Sequence, residues 1–419
     1  MKISNVISKP GTIQYGWYEA FAHPTGERED LPLIVVEGSS GGPCIWLTAG
    51  IHGDEHTGPL VIYRLMEDIL EQGLRGTIVA LPVLNPAGLR QKTRKSFYDD
   101  TDPNRLWPEK RGYASKNSSA SGTSGDVSSS GDALQETSRS LSPLERIYAK
   151  LYEDVAATAD YLIDFHCFNV GALSFAFRDR VLYYPDQGKN TGAQPGASKR
   201  LSKISSSAHA AIQPAASLTA RGTTGMTSTE ADELSEKIDQ MLAAYGHTTI
   251  CEYSSDRYLE EKLHRSVAGS VLLFAGIPTF TAELGTNIVP DPGIVKAAAA
   301  GTRNVLRWAG MLDGTMEAIE TTKVIDPGYM VRRDRTPVVE ESCIVRHLLE
   351  PGDFFRKGTP LAELMDIWGR PMEPKVLYAE SEGFVLCRSE GITFYPGQYL
   401  YTLAVRDDFP LTGPYPRTW

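Results

Sequence analysis

The chain has little of three things. Only five cysteines stand in 419 residues (Cys44, Cys167, Cys251, Cys343 and Cys387), widely spaced and without a Cys-x-x-Cys pair. An odd, scattered count is not that of a disulfide framework, and it reads as a reduced, cytoplasmic protein. No apolar run approaches the roughly 18 residues of a membrane span. The first residues, Met1-Lys2-Ile3-Ser4-Asn5-Val6, lack the apolar centre of a secretory signal. Positive charge is also short. Lysine and arginine number 42 against 52 acidic residues, and a net charge of -10 argues against nucleic acid as a partner.

The rest is ample. A hydrophobic fraction of 41% can build a large core, and the length suits one large domain plus a small one. Apolar runs at 32–37, 44–49, 77–84, 247–253 and 278–284 read as strands. The apolar positions from Gly58 to Leu70 fit a helical face, and further helices are expected near 143–157, 229–245 and 294–312. Alternating strands and helices predict an α/β domain with a mostly parallel central sheet flanked by helices. Residues 114–142 and 187–228 are dominated by small and polar types, and read as surface insertions with too few apolar side chains to order themselves. After Gly314 the pattern changes to short β-type runs separated by Gly and Pro turns, such as Glu350-Pro-Gly-Asp353 and Tyr395-Pro-Gly-Gln398. The expected organisation is therefore a domain over 1–314, containing both insertions, and a small all-β, barrel-like domain over 315–419.

Two apolar runs end abruptly in polar residues. One is Thr48-Ala49-Gly50-Ile51-His52-Gly53-Asp54-Glu55-His56, and the other is Tyr161-Leu162-Ile163-Asp164-Phe165-His166-Cys167. Buried strands that stop at a sheet edge read this way. His52, Glu55 and His166 are candidate ligands of one catalytic zinc ion, since two imidazoles and a carboxylate leave a fourth position open. A His-x-x-Glu pair is weak alone, but the small residues Ala49, Gly50 and Gly53 leave room for an ion and a substrate. Asp164, two residues before His166 on a strand, shares its face and can support the ring, whereas Cys167 points to the core.

A third strand end, Thr279-Phe280-Thr281-Ala282-Glu283-Leu284-Gly285, carries a carboxylate. Buried acids are rare unless paired or functional, so Glu283 is either a structural salt bridge or a general acid/base. The polar segment Lys92 to Pro108 reads by composition as a solvated loop. Chemically, Arg105 with Asn104 would suit a substrate carboxylate, and Arg94 would suit an oxyanion.

Four motifs in this order, His52-Gly-Asp-Glu55, Asn104-Arg105, Asp164-Phe-His166 and Glu283-Leu-Gly285, resemble the succinylglutamate desuccinylase/aspartoacylase family of zinc carboxypeptidase-like enzymes. Thr93-Arg94 and Arg303-Asn-Val-Leu306 resemble the members that deacetylate N-acetyl-diaminobutyrate. Pro103 and Phe165 stand where the family usually has Leu. The resemblance implies hydrolysis of the amide of a small N-acyl amino acid, releasing a carboxylate and a free amine. It implies one zinc per chain on His52, Glu55 and His166, with Glu283 as general acid/base, Arg94 on the scissile carbonyl, and Asn104 and Arg105 on the substrate carboxylate. The β domain looks like a relative of biotinyl and lipoyl carriers, yet without the modifiable Met-Lys-Met hairpin it is not expected to carry a cofactor. A homo-oligomer is left open.

Two alternatives stay in view: a metallocarboxypeptidase acting on peptides, and a non-catalytic binding scaffold that kept the fold. A serine hydrolase fits poorly. Gly38-Ser39-Ser40-Gly41-Gly42 matches Gly-x-Ser-x-Gly, but a nucleophile elbow needs a helix after it, and Pro43 to Ala49 read as a strand.

Overall fold

The structure is a computed structural model and describes residues 1–109, 141–168, 171–184 and 226–416. In chain order the strands are β1 (Lys2–Ile3), β2 (Val6–Ile7), β3 (Thr12–Tyr18), β4 (Leu31–Glu37), β5 (Ser40–Ala49), β6 (Arg75–Leu81), β7 (Tyr161–Phe168), β8 (Ser174–Arg178), β9 (Val181–Tyr183), β10 (Thr248–Cys251), β11 (Thr279–Thr286), β12 (Val331–Asp334), β13 (Cys343–His347), β14 (Phe354–Phe355), β15 (Pro360–Met365), β16 (Pro371–Tyr378), β17 (Gly383–Arg388), β18 (Thr393–Phe394), β19 (Tyr401–Arg406) and β20 (Thr412–Pro414).

Twelve of these form one sheet in the order β14-β17-β19-β12-β10-β8-β11-β7-β5-β6-β4-β3. Its centre, β11-β7-β5-β6, is parallel as the apolar runs predict. Strands buried on both faces read as continuous Val, Ile and Leu, and Ile45, Trp46 and Leu47 of β5 and Leu162 and Ile163 of β7 are all fully buried. Beyond that centre the sheet is mixed. Strand β8 runs antiparallel beside β11, β10 and β12 follow it in parallel, and β4 and β3 run antiparallel at the other side. The parallel expectation therefore holds for the centre and not for the flanks.

Helices Thr57–Met66, Ser228–Tyr245 and Pro292–Trp308 contribute buried side chains to one large core, and helix Pro143–Thr158 to a second. The sequence places the two longest insertions at 114–142 and 187–228. Residues 114–140 and 187–225 lie outside the described residues, but the last residues of each segment are ordered in a specific way. Ser142 and Thr227 form capping boxes with Glu145 and Glu230, so both segments end on a helix N-terminus.

The strands after Gly314 divide among three sheets, one of them the two-stranded pair of β20 with β9. β12, β14, β17 and β19 extend the central sheet, while β16-β15-β13-β18 form a separate four-stranded sheet with its own apolar cluster around Leu361, Leu364 and Phe394. Arg303 and Arg307, at the end of helix Pro292–Trp308, both pair with Glu317. The Arg303-Asn304 motif therefore ties that helix to the chain leaving it. Among the described residues no helix is long and apolar enough to cross a membrane.

Candidate active site

Three neighbouring parallel strands end at one edge of the sheet, which is where open α/β sheets gather ligands. β5 delivers the loop with His52 and Glu55, β7 delivers His166, and β11 delivers Glu283. The loop after β5 is shaped by close backbone approaches. Gly50 has φ +61, and a Cβ on Gly53 would fall 1.9 Å from the carbonyl carbon of Gly88 in helix Pro86–Gln91. Only glycine lets these two backbones touch.

His52, Glu55 and His166 are 3%, 5% and 3% exposed, and one donor atom of each lies within 4.8 Å of the others. The ring orientations test whether a cation fits. His52 Nε2 lies 3.1 Å from Asp102 Oδ1, and His166 Nε2 lies 2.8 Å from Asp164 Oδ2. An Nε2–H donated to a carboxylate leaves the Nδ1 lone pair of the neutral ring available. Both Nδ1 atoms turn toward Glu55, at 2.7 Å from Oε1 and 2.8 Å from Oε2. Two lone pairs and a carboxylate thus converge, with their outer nitrogens braced by acids, as in histidine-bound zinc sites. Asp164 is itself fixed by the Thr48 hydroxyl at 2.7 Å.

The electrostatics agree. Burial disfavours the imidazolium of His166, but the carboxylates of Asp164 and Glu55 outweigh it and hold its pKa well above the ordinary value. Burial likewise opposes ionisation of Glu55, and the positive fields of His52 and His166 hold it below the carboxylate range. The site favours a positive charge between Glu55 and Asp164, whether from an imidazolium or a metal ion. Zinc matches this nitrogen and oxygen donor set.

Glu283 pairs in register with His166 across β11 and β7. It is 6% exposed, and its Oε2 has no hydrogen-bond partner among the described residues. Burial, reinforced by the negative field of Glu55 and only partly offset by His166, pushes it up to about 8. The salt-bridge reading of this acid has no direct ion pair behind it among the described residues.

Asp102 was not assigned a role from sequence, yet it organises the polar segment. It accepts from His52, from Arg94 Nη2 at 2.9 Å and from the Asn104 N–H at 2.9 Å, where it caps the short turn Pro103–Arg105. The Asp-Pro pair at a helix start is the signal that could have revealed it. Arg94, half exposed, also reaches Glu55 at 3.4 Å. Asn104 is already engaged. Its Oδ1 accepts from the Val267 N–H and its Nδ2 lies 3.3 Å from His166 Nε2. Arg105 donates to the carbonyls of Glu261 and Asn104.

All eight side chains chosen from sequence except Asp164 line one cavity of about 500 Å³, and Asp164 stands directly behind His166. The wall the sequence did not reveal comes from β8, β10, β12 and beyond: Asp179, Glu252, Arg333, Arg335 and Tyr399. Arg333 pairs with Glu252 at 2.7 Å and lies over the rings of Phe177 and Tyr253. Cys167 is buried with its thiol pushed up to about 12 by burial, in keeping with a core role.

The mixed sheet thus carries a His-Glu-His cluster that could hold a metal ion, with a buried acid on the neighbouring strand. Residues 41–177, which include the three cradle residues, match the succinylglutamate desuccinylase/aspartoacylase catalytic domain. No curated protein matches the chain. Among solved structures it is similar to a succinylglutamate desuccinylase/aspartoacylase from Rhodobacter sphaeroides, at 16% identity and TM-score 0.62, covering 97% of this chain and 96% of that one. It is similar also to the product-bound ectoine utilization protein EutE (DoeB) from Ruegeria pomeroyi, at 18% identity and TM-score 0.62, covering 94% and 95%. A succinylglutamate desuccinylase from Silicibacter sp. TM1040 gives 17% identity and TM-score 0.60, covering 94% and 95%. At these identities the likeness is one of fold.

Proposed function

We propose that this protein hydrolyses the amide bond of a small N-acyl amino acid, with one zinc ion held by His52, Glu55 and His166. The observation that carries this is the convergence of both histidine Nδ1 atoms on Glu55 with Glu283 in register beside them. Zinc in such a cradle polarises a carbonyl and makes water acidic enough to attack it. The chain's own residues supply the rest. Arg105, on the cavity wall, holds the substrate carboxylate. Asn104, whose Oδ1 accepts from the Val267 N–H, keeps that wall in place. Arg94 lies beside Glu55 and offsets the charge that develops on the acyl oxygen. Glu283 takes the proton of the attacking water and returns it to the leaving nitrogen, a shuttle for which an acid poised near neutrality is suited. Products are a carboxylate and a free amine.

Deacetylation of an N-acetylated diamino acid is the finer reading, supported by the Thr93-Arg94 pair, of which Arg94 lines the cavity. A reducing, cytoplasmic setting is supported by five cysteines that are all free and buried. The deciding experiment is elemental mass spectrometry of the purified protein, followed by a screen of N-acyl amino acids. About one zinc per chain and release of free amine are expected. A metal-free preparation made without chelators, or a metal-loaded one inert on the whole panel, would sink the proposal.

A further inference from the structure

The large sheet ends in β3, and the face it shows there is apolar. Tyr15 and Trp17, two residues apart on that strand and so on one face, are 70% and 55% exposed. Helix Thr57–Met66 packs over β5 and β7 and leaves this end of the sheet uncovered. Between helix and strand runs a groove of about 430 Å³, lined by Tyr15, Trp17, Pro32, Ile34, Tyr63 and Met66 among others. A second hollow shares Trp17, Pro32 and Tyr63 and continues over Val83, Pro86 and Leu89. Leu60, exposed one turn before Tyr63, prolongs the apolar strip along the helix. Ile288 and Val289, also exposed, lie by the start of that helix, where His56 Nδ1 is 3.2 Å from the Ile288 carbonyl oxygen.

A strand at the end of a sheet invites pairing through its free backbone groups, but here that route is obstructed. Asn5 Oδ1 accepts from the Trp17 N–H and Ser4 Oγ from the Glu19 N–H, so the turn between β1 and β2 caps part of the outer edge. The open surface is the face. Its three rings and three aliphatic side chains leave on the order of 600 Å² of apolar surface in water, the top of the range for a lone chain. With a polar rim it approaches the roughly 800 Å² per partner of a stable interface.

The rim narrows the choice of occupant. Arg28 pairs with Asp30, Arg90 with Glu29 and Arg64 with Glu67. These charges are balanced within the chain, so the face offers little field to nucleic acid, a charged peptide or an anionic membrane. The segments 114–142 and 187–228, rich in small and polar residues, have few large apolar side chains to lay on it. A second copy brings a matching aromatic face. Each copy carries a net charge of -10, and a face whose charges are already paired is where two such chains meet with least repulsion. Two-fold contacts require one self-complementary surface, and the protruding Tyr15 beside its own groove supplies both knob and hole.

We propose that two copies of this chain pair about a two-fold axis through the face formed by β3, β4 and helix Thr57–Met66, with Trp17, Leu60 and Tyr63 at its centre. None of these residues lines the His52–Glu55–His166 cavity, and nothing in the inference rests on the hydrolase reading.

The test is sedimentation equilibrium of the full-length protein across micromolar concentrations. Wild type is expected at twice the chain mass of 45.9 kDa. Trp17→Glu and Leu60→Glu each place a charge in the apolar centre and raise the dissociation constant about 30-fold or more. Trp368→Glu, at a still more exposed tryptophan between β15 and β16, leaves it unchanged. Circular dichroism confirms folding, and Leu60→Glu, on a helix surface, carries the test should the strand variant not fold. Hydrogen exchange of residues 57–66 in wild type slows as concentration rises. A monomeric wild type overturns the proposal. That includes a monomer in which residues 57–66 are protected at every concentration until 114–140 or 187–225 is deleted, the result expected if one of the chain's own insertions covers the face. A dimer that survives Leu60→Glu and Trp17→Glu is built on another surface and overturns it equally.

Discussion

His166 and Glu283 occupy opposite positions in one rung of the sheet, on parallel neighbours β7 and β11. One side chain belongs to the cation cradle, and the other is an acid with a buried, unpartnered oxygen. Backbone pairing, rather than a mobile loop, therefore sets the distance between the proposed metal position and the proposed proton shuttle. Sites built on sheet rungs hold their geometry more tightly than sites on loops.

Replacing Glu283 by Gln keeps the shape and removes the base. The expected result is a loss of kcat of about 10²–10⁴-fold, the usual contribution of a positioned acid/base, with zinc content unchanged. Steady-state kinetics and metal analysis on the same preparation check both halves. Turnover within a few-fold of wild type would remove Glu283 from the chemistry.

Asp164 and Asp102 hold the outer nitrogens of His166 and His52. Asp164→Asn and Asp102→Asn are expected to weaken metal binding by about 10–100-fold without abolishing it, the range seen when such braces are lost. Competition titration against a fluorescent chelator measures this. A metal that stabilises only the folded state also raises the unfolding temperature, so chelation should lower the midpoint in wild type and zinc should restore it. Equal zinc affinity in all three proteins would contradict the bracing role.

The parts of this site that could be read from sequence share one property: each lies where an apolar strand turns polar. That pattern exposed His52, Glu55, His166 and Glu283, because a strand buried on both faces leaves no other reason for such residues. Asn104 was visible as part of a motif and Asp102 was not, and their contacts with His166 and His52 depend on a long polar segment folding back over the edge. Glu252 and Arg335 could not be found this way. Their positions depend on β10 and β12 joining the sheet beyond β8, and the short strand Ser174–Arg178 carried no distinct signal. The same unread strand, antiparallel to β11, is why the sheet is mixed.

Gly53 tests how tightly the metal loop is tied to its neighbour. A Cβ there would overlap the backbone of Gly88 and Leu89, with no flexible side chain to give way. Gly53→Ala must therefore displace the loop that carries His52 and Glu55. A destabilisation of roughly 1–3 kcal/mol is expected from overpacking, together with reduced zinc occupancy. Gly73→Ala is the comparison, since that position, unlike Gly53, has φ above zero and no neighbour within 4 Å. It should lose stability through backbone strain while keeping its zinc. A Gly53→Ala protein with full zinc and an unchanged unfolding midpoint would show that the approach is softer than the structure implies.

His247 predicts the acid limb of stability, away from the cavity. It is 6% exposed, stacks on Tyr245 at 4.2 Å between centroids, and keeps Nε2 buried without a partner. Burial is the main cause that lowers its pKa from 6.5 to about 4, and the contact with the Tyr245 carbonyl only partly offsets it. Between those values the unfolded chain binds the proton and the folded chain does not. Stability from this group is therefore full above pH 6.5 and declines as pH falls toward 4, by about 3 kcal/mol at most. His247→Phe keeps a ring on Tyr245 and removes the titration. Its stability should fall less than that of wild type between pH 7 and pH 4.5 in urea unfolding followed by circular dichroism. Parallel pH profiles for the two proteins would mean that other groups govern the acid limb.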